Sequence, residues 1–194
     1  MTDTATTTLT RTVEGREVPN TGTYDFDLAH SSIELVVRHL VVSKVRARFS
    51  DWSGSLTIAD NPEDSKVEVT IQTGSFSSGD ETRDGHVKSA DFFDVEQFPT
   101  ATYRSTKVTP ATNGDWAVDG ELTIRGITKP VALAVTFAGA ATDPFGNAKV
   151  FFEASTDIDR DQFGVSFNAP LEAGGVLLSK NIKIELEVQA VPAA

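Results

Sequence analysis

The sequence has no cysteine among its 194 residues. Without thiols the chain forms no disulfide, no thiolate nucleophile, no cysteine-ligated zinc site and no iron–sulfur cluster. Basic residues are also scarce, since 17 Lys and Arg stand against 28 Asp and Glu, for a formal charge of −11. Nucleic acids and anionic membranes are bound by clustered Lys and Arg. The acid excess therefore argues against both classes of partner.

The sequence also lacks a long apolar run. No segment reaches the roughly 18 residues that a membrane-spanning helix needs, and no early basic cluster precedes an apolar stretch of the kind found in secretory signals. Hydrophobic residues still make up 39% of the chain, enough for a substantial core. We therefore expect a globular, cytoplasmic protein without an integral membrane segment. Its oligomeric state stays open, a homodimer included.

The first 20 residues are rich in threonine and poor in large apolar side chains. Such a segment buries too little surface to offset the entropy that is lost when a chain becomes ordered. We therefore predict a disordered tail over residues 1–20 and one domain over residues 21–194.

From residue 21 onward the dominant pattern has a period of two, which is typical of strands with one buried face. Near the end of the chain, for example, Ile182, Ile184 and Leu186 alternate with Lys183 and Glu185. Stretches rich in Gly, Asn, Asp and Pro separate such runs and predict turns. The pattern predicts strands over residues 21–28, 31–39, 44–59, 65–76, 100–110, 115–124, 129–141 and 148–159, and a further strand over 176–191.

Long antiparallel strands with no helices to cover a second face favour a closed barrel, because closure removes exposed edges. A strand of about 12 residues rises roughly 40 Å, or about 30 Å of barrel height once it is tilted. An eight-stranded barrel has a bore that fits side chains or one slender ligand. We therefore predict an all-β fold, an eight-stranded antiparallel barrel with room for a long molecule.

Residues 79–99 break the strand pattern. Two stretches are compatible with a helix, Glu81 to Lys88 and Ser89 to Val95, and Ser89 is a suitable N-cap for the second one. Long ordered connections in compact domains are often binding loops or lids. We expect a short helical connection at one barrel end, which is either a fixed plug or a moving lid.

Five motifs, in order along the chain, resemble the signatures of the YceI family of lipocalin-like polyisoprenoid-binding proteins. They are YDFDLAHS at 24–31, VRHLVVSKV at 37–45, TRDGHVKSADFFDV at 82–95 followed by Phe98 and Pro99, GELTIRGITKPV at 120–131, and DIDRDQFGV at 157–165. The resemblance runs from about residue 24 to residue 191. It implies an eight-stranded antiparallel barrel with a long apolar tunnel. Many members carry a signal peptide and are periplasmic.

The resemblance also implies a function: binding, storage or transport of a polyisoprenoid, an isoprenoid quinone or a related apolar chain, with no catalysis and no cofactor. Such a chain gains about 0.8 kcal/mol for each buried CH₂-sized unit, so tight binding needs no catalytic group. For any one tunnel-lining residue, the alternative is that its side chain packs in an ordinary barrel core and contacts no ligand. We expect the tunnel to be lined by Ile33, Leu35, Val37, Phe49, Val69, Ile71, Phe76, Phe92, Phe98, Val135, Phe137, Phe152 and Phe163.

The rival class is an enzyme acting on a lipid-like substrate, and it would depend on the histidines. In one unbroken strand His30 and His39 lie nine positions apart and so face opposite sides, which prevents a shared metal ion. His86 follows Asp84 and offers an Asp–His pair for general base chemistry, but no G-x-S-x-G nucleophile motif is present. We therefore expect no catalytic residues and no metal site. A stress-related structural module with a solid core and no ligand is the third alternative.

Arg83, His86 and Arg160 are polar residues with two alternative roles, contact to a ligand head group or a structural clamp on loops at the barrel end. A diphosphate prefers a bidentate donor such as Arg83, yet the neighbouring Asp84 offers that guanidinium a partner and repels phosphate. Arg160 lies in a run of carboxylates and is expected to tie carboxylates or carbonyls together. The sequence therefore favours the clamp.

Overall fold

The computed structural model describes residues 8–40, 43–170 and 177–193. Within these residues a single α-helix, α1, spans Glu81–Lys88, and a short 3-10 helix at Arg160–Phe163 precedes the last strand. The strands are β1 Thr10–Val13, β2 Arg16–Pro19, β3 Gly22–Phe26, β4 Ser32–His39, β5 Ser43–Phe49, β6 Trp52–Ile58, β7 Lys66–Gln72, β8 Phe76–Ser77, β9 Thr100–Pro110, β10 Trp116–Ile124, β11 Ile127–Thr142, β12 Ala148–Asp159 and β13 Leu178–Pro192.

Strands β3 to β13 form one antiparallel sheet that closes on itself. β12 pairs with β11 on one side and with β13 on the other, and β13 in turn pairs with β3 and β4. Three barrel strands are interrupted, so that β3 with β4, β5 with β6, and β7 with β8 each occupy one strand position. With β9 to β13 these positions make an eight-stranded closed barrel, which confirms the predicted fold class.

Residues that alternate along each strand point in turn to the inner and the outer face of the barrel wall. On β11 the half-buried Val131, Leu133 and Val135 point into the barrel, while Ala132 and Ala134 between them are exposed. The predicted strand over residues 44–59 is split at residues 50–51, because there the chain changes partner from β4 to β3.

The two ends of the barrel carry different elements. The β6–β7, β9–β10 and β11–β12 turns lie at one end together with the β1–β2 hairpin, and we call it the hairpin end. The β10–β11 turn, α1 and the 160–163 turn lie at the other, the helix end. Different elements therefore lie over the two ends of the barrel interior.

The β1–β2 hairpin replaces the predicted disordered tail over residues 10–19. It is ordered because Val18, only 3% exposed, packs into the barrel core, and because Arg11 and Arg16 bind backbone carbonyls of distant turns. Threonine-rich composition gives no sign of either contact. Residues 1–7 of the predicted tail lie outside the described residues.

Helix α1 has the predicted bounds. The Asp80 side chain caps its N-terminus by accepting the Arg83 N–H at 3.0 Å. Ser89 ends this helix instead of starting a second one, since its N–H and its hydroxyl both donate to the carbonyl of His86. The stretch over residues 89–95, although its sequence is compatible with a second helix, forms turns instead.

Among residues 8–40, 43–170 and 177–193 there is no helix with the length and apolar character needed to span a membrane.

Candidate functional site

An apolar cavity of about 680 Å³ occupies the barrel interior. Small-molecule sites typically measure roughly 300–1,000 Å³. Its wall consists mainly of aliphatic and aromatic side chains from every strand position of the barrel. Many of them, such as Val135 and Phe137, are only half-buried because they face this space rather than a filled core.

Aromatic rings form two groups along the cavity. Phe49, Phe76 and Phe93 form a triangle with centroid separations of 5.8, 5.6 and 5.9 Å. Phe137 and Phe152 pair at 5.3 Å towards the hairpin end. Tilted and edge-on rings at these distances attract each other beyond simple area burial. The rings therefore hold the wall in place around the space.

Phe98 is the one predicted wall residue that lies outside the cavity. Its ring packs against Gly126, where an added Cβ would lie 3.2 Å from the ring, and the guanidinium of Arg125 lies 5.9 Å from its centroid. The other twelve predicted residues are on the cavity wall: Ile33, Leu35, Val37, Phe49, Val69, Ile71, Phe76, Phe92, Val135, Phe137, Phe152 and Phe163.

Sequence reasoning missed several wall residues, among them Trp52, Trp116 and Val18. Trp116 was detectable, because the large Trp116 and Val118 alternate with the small Ala117 at the start of a predicted strand. Val18 was not, since its position on the wall depends on the hairpin that composition did not predict.

Arg83 and Asp84 both bind Ser78 and form no direct pair with each other. Arg83 donates from Nε to the Ser78 hydroxyl at 2.6 Å and from Nη2 to the Ser78 carbonyl at 3.0 Å. Asp84 accepts from the Ser78 N–H at 2.8 Å and from its hydroxyl. Burial raises the pKa of Asp84, but the bonds from Ser78 outweigh it and leave that pKa below its ordinary value. The two residues together fix the entry to α1.

The three histidines lie in separate places. His86 Nε2 lies 2.9 Å from Asp91, so the Asp84–His86 pair that the enzyme alternative would need is not formed. The His86 ring stands edge-on to Phe92 and Phe167 at 5.1 and 4.8 Å. His30 lies before β4 in an exposed turn, 3.0 Å from Asp27. His39 ends β4 on the cavity wall. Within residues 8–40, 43–170 and 177–193, no group of three or more His, Asp or Glu is placed to hold a metal ion.

Arg160 is a buried clamp between backbone segments at the helix end, being 5% exposed. It donates to the carbonyls of Ser179 at 3.0 Å, Val165 at 2.7 Å and Phe167 at 2.8 Å. Burial lowers its pKa, while the carboxylates of Asp161 and Asp159 oppose that shift. The guanidinium therefore binds carbonyls, and the nearby Asp161 pairs instead with Lys180 at 2.7 Å.

Most polar wall residues lie towards the helix end of the cavity, among them His39, Asp80, Thr82, Arg83, His86 and Arg160, whereas Ser65 and Lys66 lie on the wall at the hairpin end. Asp80 and Thr82 are also exposed to solvent, so the cavity meets water beside α1. At the hairpin end the buried Val18 and Pro19 lie on the wall. The helix end of the cavity thus carries most of the polar wall residues, while Val18 and Pro19 give the hairpin end an apolar surface beside Lys66.

Residues 24–190 match the YceI-like domain family. The chain belongs to this family. A UPF0312 protein of Vibrio parahaemolyticus is 38% identical over 138 residues, which cover 71% of this chain and 73% of that protein. A UPF0312 protein of Staphylococcus aureus is 36% identical over 168 residues, covering 86% of this chain and 95% of the relative. The match places the barrel inside the YceI-like region and leaves the β1–β2 hairpin before it.

Solved YceI-type structures share this fold. The YCEI protein of Campylobacter jejuni has a TM-score of 0.69 at 27% identity, covering 81% of this chain and 90% of that chain. Burkholderia cenocepacia BcnA has a TM-score of 0.75 at 24% identity, covering 85% and 99%. A polyisoprenoid binding domain from Saccharophagus degradans has a TM-score of 0.63 at 14% identity, covering 88% and 98%. The YceI-like barrel is thus an established architecture for this chain.

Proposed function

We propose that this YceI-like protein binds one long apolar lipid, a polyisoprenoid, an isoprenoid quinone or a related chain, and stores or transports it. The observation that carries this proposal is the apolar cavity of about 680 Å³, with most of its polar wall residues towards the helix end. An amphiphile with a long tail and a small polar head matches that distribution. The polyisoprenoid binding domain of Saccharophagus degradans provides a precedent for such a ligand in this fold.

The energetics favour an apolar chain over a compact polar ligand. Each buried CH₂-sized unit contributes about 0.8 kcal/mol, so some 15 units supply about 12 kcal/mol before the cost of ordering the chain is subtracted. With the lower estimates of that cost, about 4 kcal/mol, a net of about 8 kcal/mol remains, which corresponds to a dissociation constant of about 1 μM. Dispersion and the hydrophobic effect are sufficient, and the wall needs few hydrogen bonds.

In this proposal the polar residues near the cavity have structural roles, and the protein does not catalyse a reaction on its ligand. Arg83 is engaged by Ser78, His86 by Asp91, and Arg160 by three backbone carbonyls. These contacts engage all three side chains, and the Arg160 Nη2 atom, which has no hydrogen-bond partner among the described residues, is itself buried. The twelve predicted residues on the wall are proposed as the lipid contacts.

The test begins with the native protein. An organic extract is analysed by mass spectrometry, and stripped protein is titrated with a polyprenol and with a menaquinone-type compound. A single stoichiometric lipid, or saturable binding of either compound, supports the proposal. The absence of both results would show that the cavity is not a lipid site.

A matched pair of variants on β11 locates the binding site. Val135 lies on the wall and the adjacent Ala134 is exposed. An unpaired charge in an apolar site costs several kcal/mol, so Val135→Asp is expected to weaken lipid binding by more than about tenfold. Ala134→Asp should leave binding unchanged, and circular dichroism checks that both variants are folded. Equal losses in the two variants would contradict binding inside the barrel.

A further inference from the structure

The β1–β2 hairpin lies outside residues 24–190, the part of the chain that matches the YceI-like family. It nevertheless contributes to the cavity, because Val18 and Pro19 are both buried and both lie on the wall. Val18 packs in the same core cluster as Trp116 and Val118 of β10. A segment that precedes the family domain thus forms part of the proposed binding site.

Two arginines hold the hairpin across the barrel end. Arg11 donates to the carbonyls of Asp60 at 2.9 Å and Ala59 at 2.6 Å, in the β6–β7 turn. Arg16 donates to the carbonyls of Asp115 at 3.0 Å and Ala111 at 2.7 Å, in the β9–β10 turn. Hydrogen bonds from a charged donor are among the stronger ones in proteins.

Further contacts fix the hairpin on the barrel. The Arg16 guanidinium lies 5.5 Å from the ring centroid of Trp116, within cation–π range. The Tyr24 hydroxyl donates to the carbonyl of Asn20 at 2.8 Å, which fixes the path from the hairpin into β3. The hairpin therefore bridges two turns that belong to different strand pairs, and Val18 is held over the cavity between them.

The cavity surface around Val18 suits the end of a hydrocarbon chain. Pro19, Ile58 and Trp116 are wall residues of this region. The polar Ser65 and the exposed Lys66 also lie on the wall here. The Ser65 hydroxyl already accepts the N–H of Ala59 at 3.1 Å, and the aliphatic stem of a lysine can line an apolar surface while its ammonium group stays in water. The exposed polar residues beside α1 are at the opposite end. An amphiphile is thus accommodated with its tail towards Val18 and its head towards α1.

We infer that the β1–β2 hairpin sets the maximum length of the lipid tail, with Val18 and Pro19 as the stop that the tail end contacts. The inference rests on the proposed lipid-binding function. It makes residues before the family domain determinants of ligand selection. A tail longer than the distance from the helix-end opening to Val18 does not fit without displacing the hairpin.

The test compares full-length variants with a graded series of linear prenols, measured by dissociation constant and bound stoichiometry. Val18→Trp advances the stop into the cavity. The longest prenol that the natural protein binds is expected to lose about tenfold in affinity, which corresponds to about two methylene groups that no longer fit. Val18→Ala withdraws the stop and should extend the length optimum to longer prenols. Val13→Ala is the control, since Val13 packs against the same cluster but does not lie on the wall.

Opposite shifts of the length optimum in Val18→Trp and Val18→Ala, with no shift in Val13→Ala, support the inference. The Val18→Ala arm remains decisive if the larger Trp side chain prevents folding. An unchanged length profile in Val18→Ala, in a natural protein that binds prenols, overturns the stop and leaves lipid binding intact. Failure of every prenol to bind the natural protein overturns the proposed function and the stop with it.

Discussion

The hairpin end and the helix end of the barrel are held together by the same kind of contact. At each end arginine side chains donate to backbone carbonyls of turns, Arg11 and Arg16 at the hairpin end, Arg125 and Arg160 at the helix end. Carbonyls of turns lack strand partners and need donors. An arginine near the mouth of a barrel is therefore not by itself a ligand contact.

What differs between the ends is the surface turned towards the cavity. The hairpin end presents Val18 and Pro19, whereas the helix end presents Asp80, Thr82 and His86, which are exposed to solvent. The helix end lies within the family match and the hairpin does not. The polar residues beside α1 thus belong to the matched domain, while Val18 and Pro19 precede it.

Burial of the clamping arginines also differs, and this gives the largest expected effect. Arg160 is 5% exposed and serves three carbonyls, while Arg11 and Arg16 are half-buried. Hydrogen bonds to a charged group contribute about 1.5–3 kcal/mol each and are not additive. We expect Arg160→Ala to lower the free energy of unfolding by about 3 kcal/mol, measured by urea denaturation.

The matched control for Arg160 is an exposed arginine. Arg104 pairs with Glu68 at 3.1 Å on the outer surface, and exposed pairs contribute about 0–1 kcal/mol. Arg104→Ala should therefore change stability little. If the two variants had equal effects, burial of Arg160 would not be the source of its contribution.

The fold was predictable because it depends on local patterns. Alternation marks each strand, and the Asp80 to Lys88 stretch carries both the N-cap and the helix residues of α1. The split of the 44–59 strand was not predictable, since no local signal marks the change of partner at residues 50–51. Local sequence thus predicts elements better than it predicts their pairing.

The candidate site was predictable as a set of inward-facing residues but not at its ends. Arg16 binds the carbonyls of Ala111 and Asp115, more than 90 positions away in the chain, and Phe98 packs on Gly126 instead of the cavity. Such contacts depend on how turns meet in space. Periodicity carries no information about that arrangement.

An ion pair near the hairpin end gives a smaller, pH-dependent effect. Lys149 Nζ lies 2.9 Å from Asp27, and this hydrogen bond is the main reason why the pKa of Asp27 lies below its ordinary 3.8; burial opposes it and His30 adds to it. A lowered carboxylate pKa stabilises the fold above the unfolded-state value, and the contribution is lost as the pH falls through the lowered pKa.

We therefore expect Asp27→Asn to reduce stability at pH 7 by about 1 kcal/mol. The difference from the natural protein should shrink as the pH falls below about 4. Thermal unfolding of both proteins between neutral and acid pH measures this trend. Asp25→Asn, at an exposed position of β3 two residues before Asp27, is the control. A difference that stays constant with pH would show that the carboxylate charge is not what stabilises this end.

The smallest expected effect concerns Arg83, and it tests whether the polar helix end recognises charge. Arg83 already donates to the hydroxyl and carbonyl of Ser78, so Arg83→Ala should lower stability by about 1 kcal/mol. Because the guanidinium is engaged, a polyprenol and its diphosphate should weaken equally, by no more than about twofold. Calorimetric titration of both ligands measures the ratio, and Ser78→Ala, which removes the hydroxyl partner, serves as the control. A loss of more than about tenfold for the diphosphate alone, with stability unchanged, would instead make Arg83 a head-group ligand and the helix end a charge-selective opening.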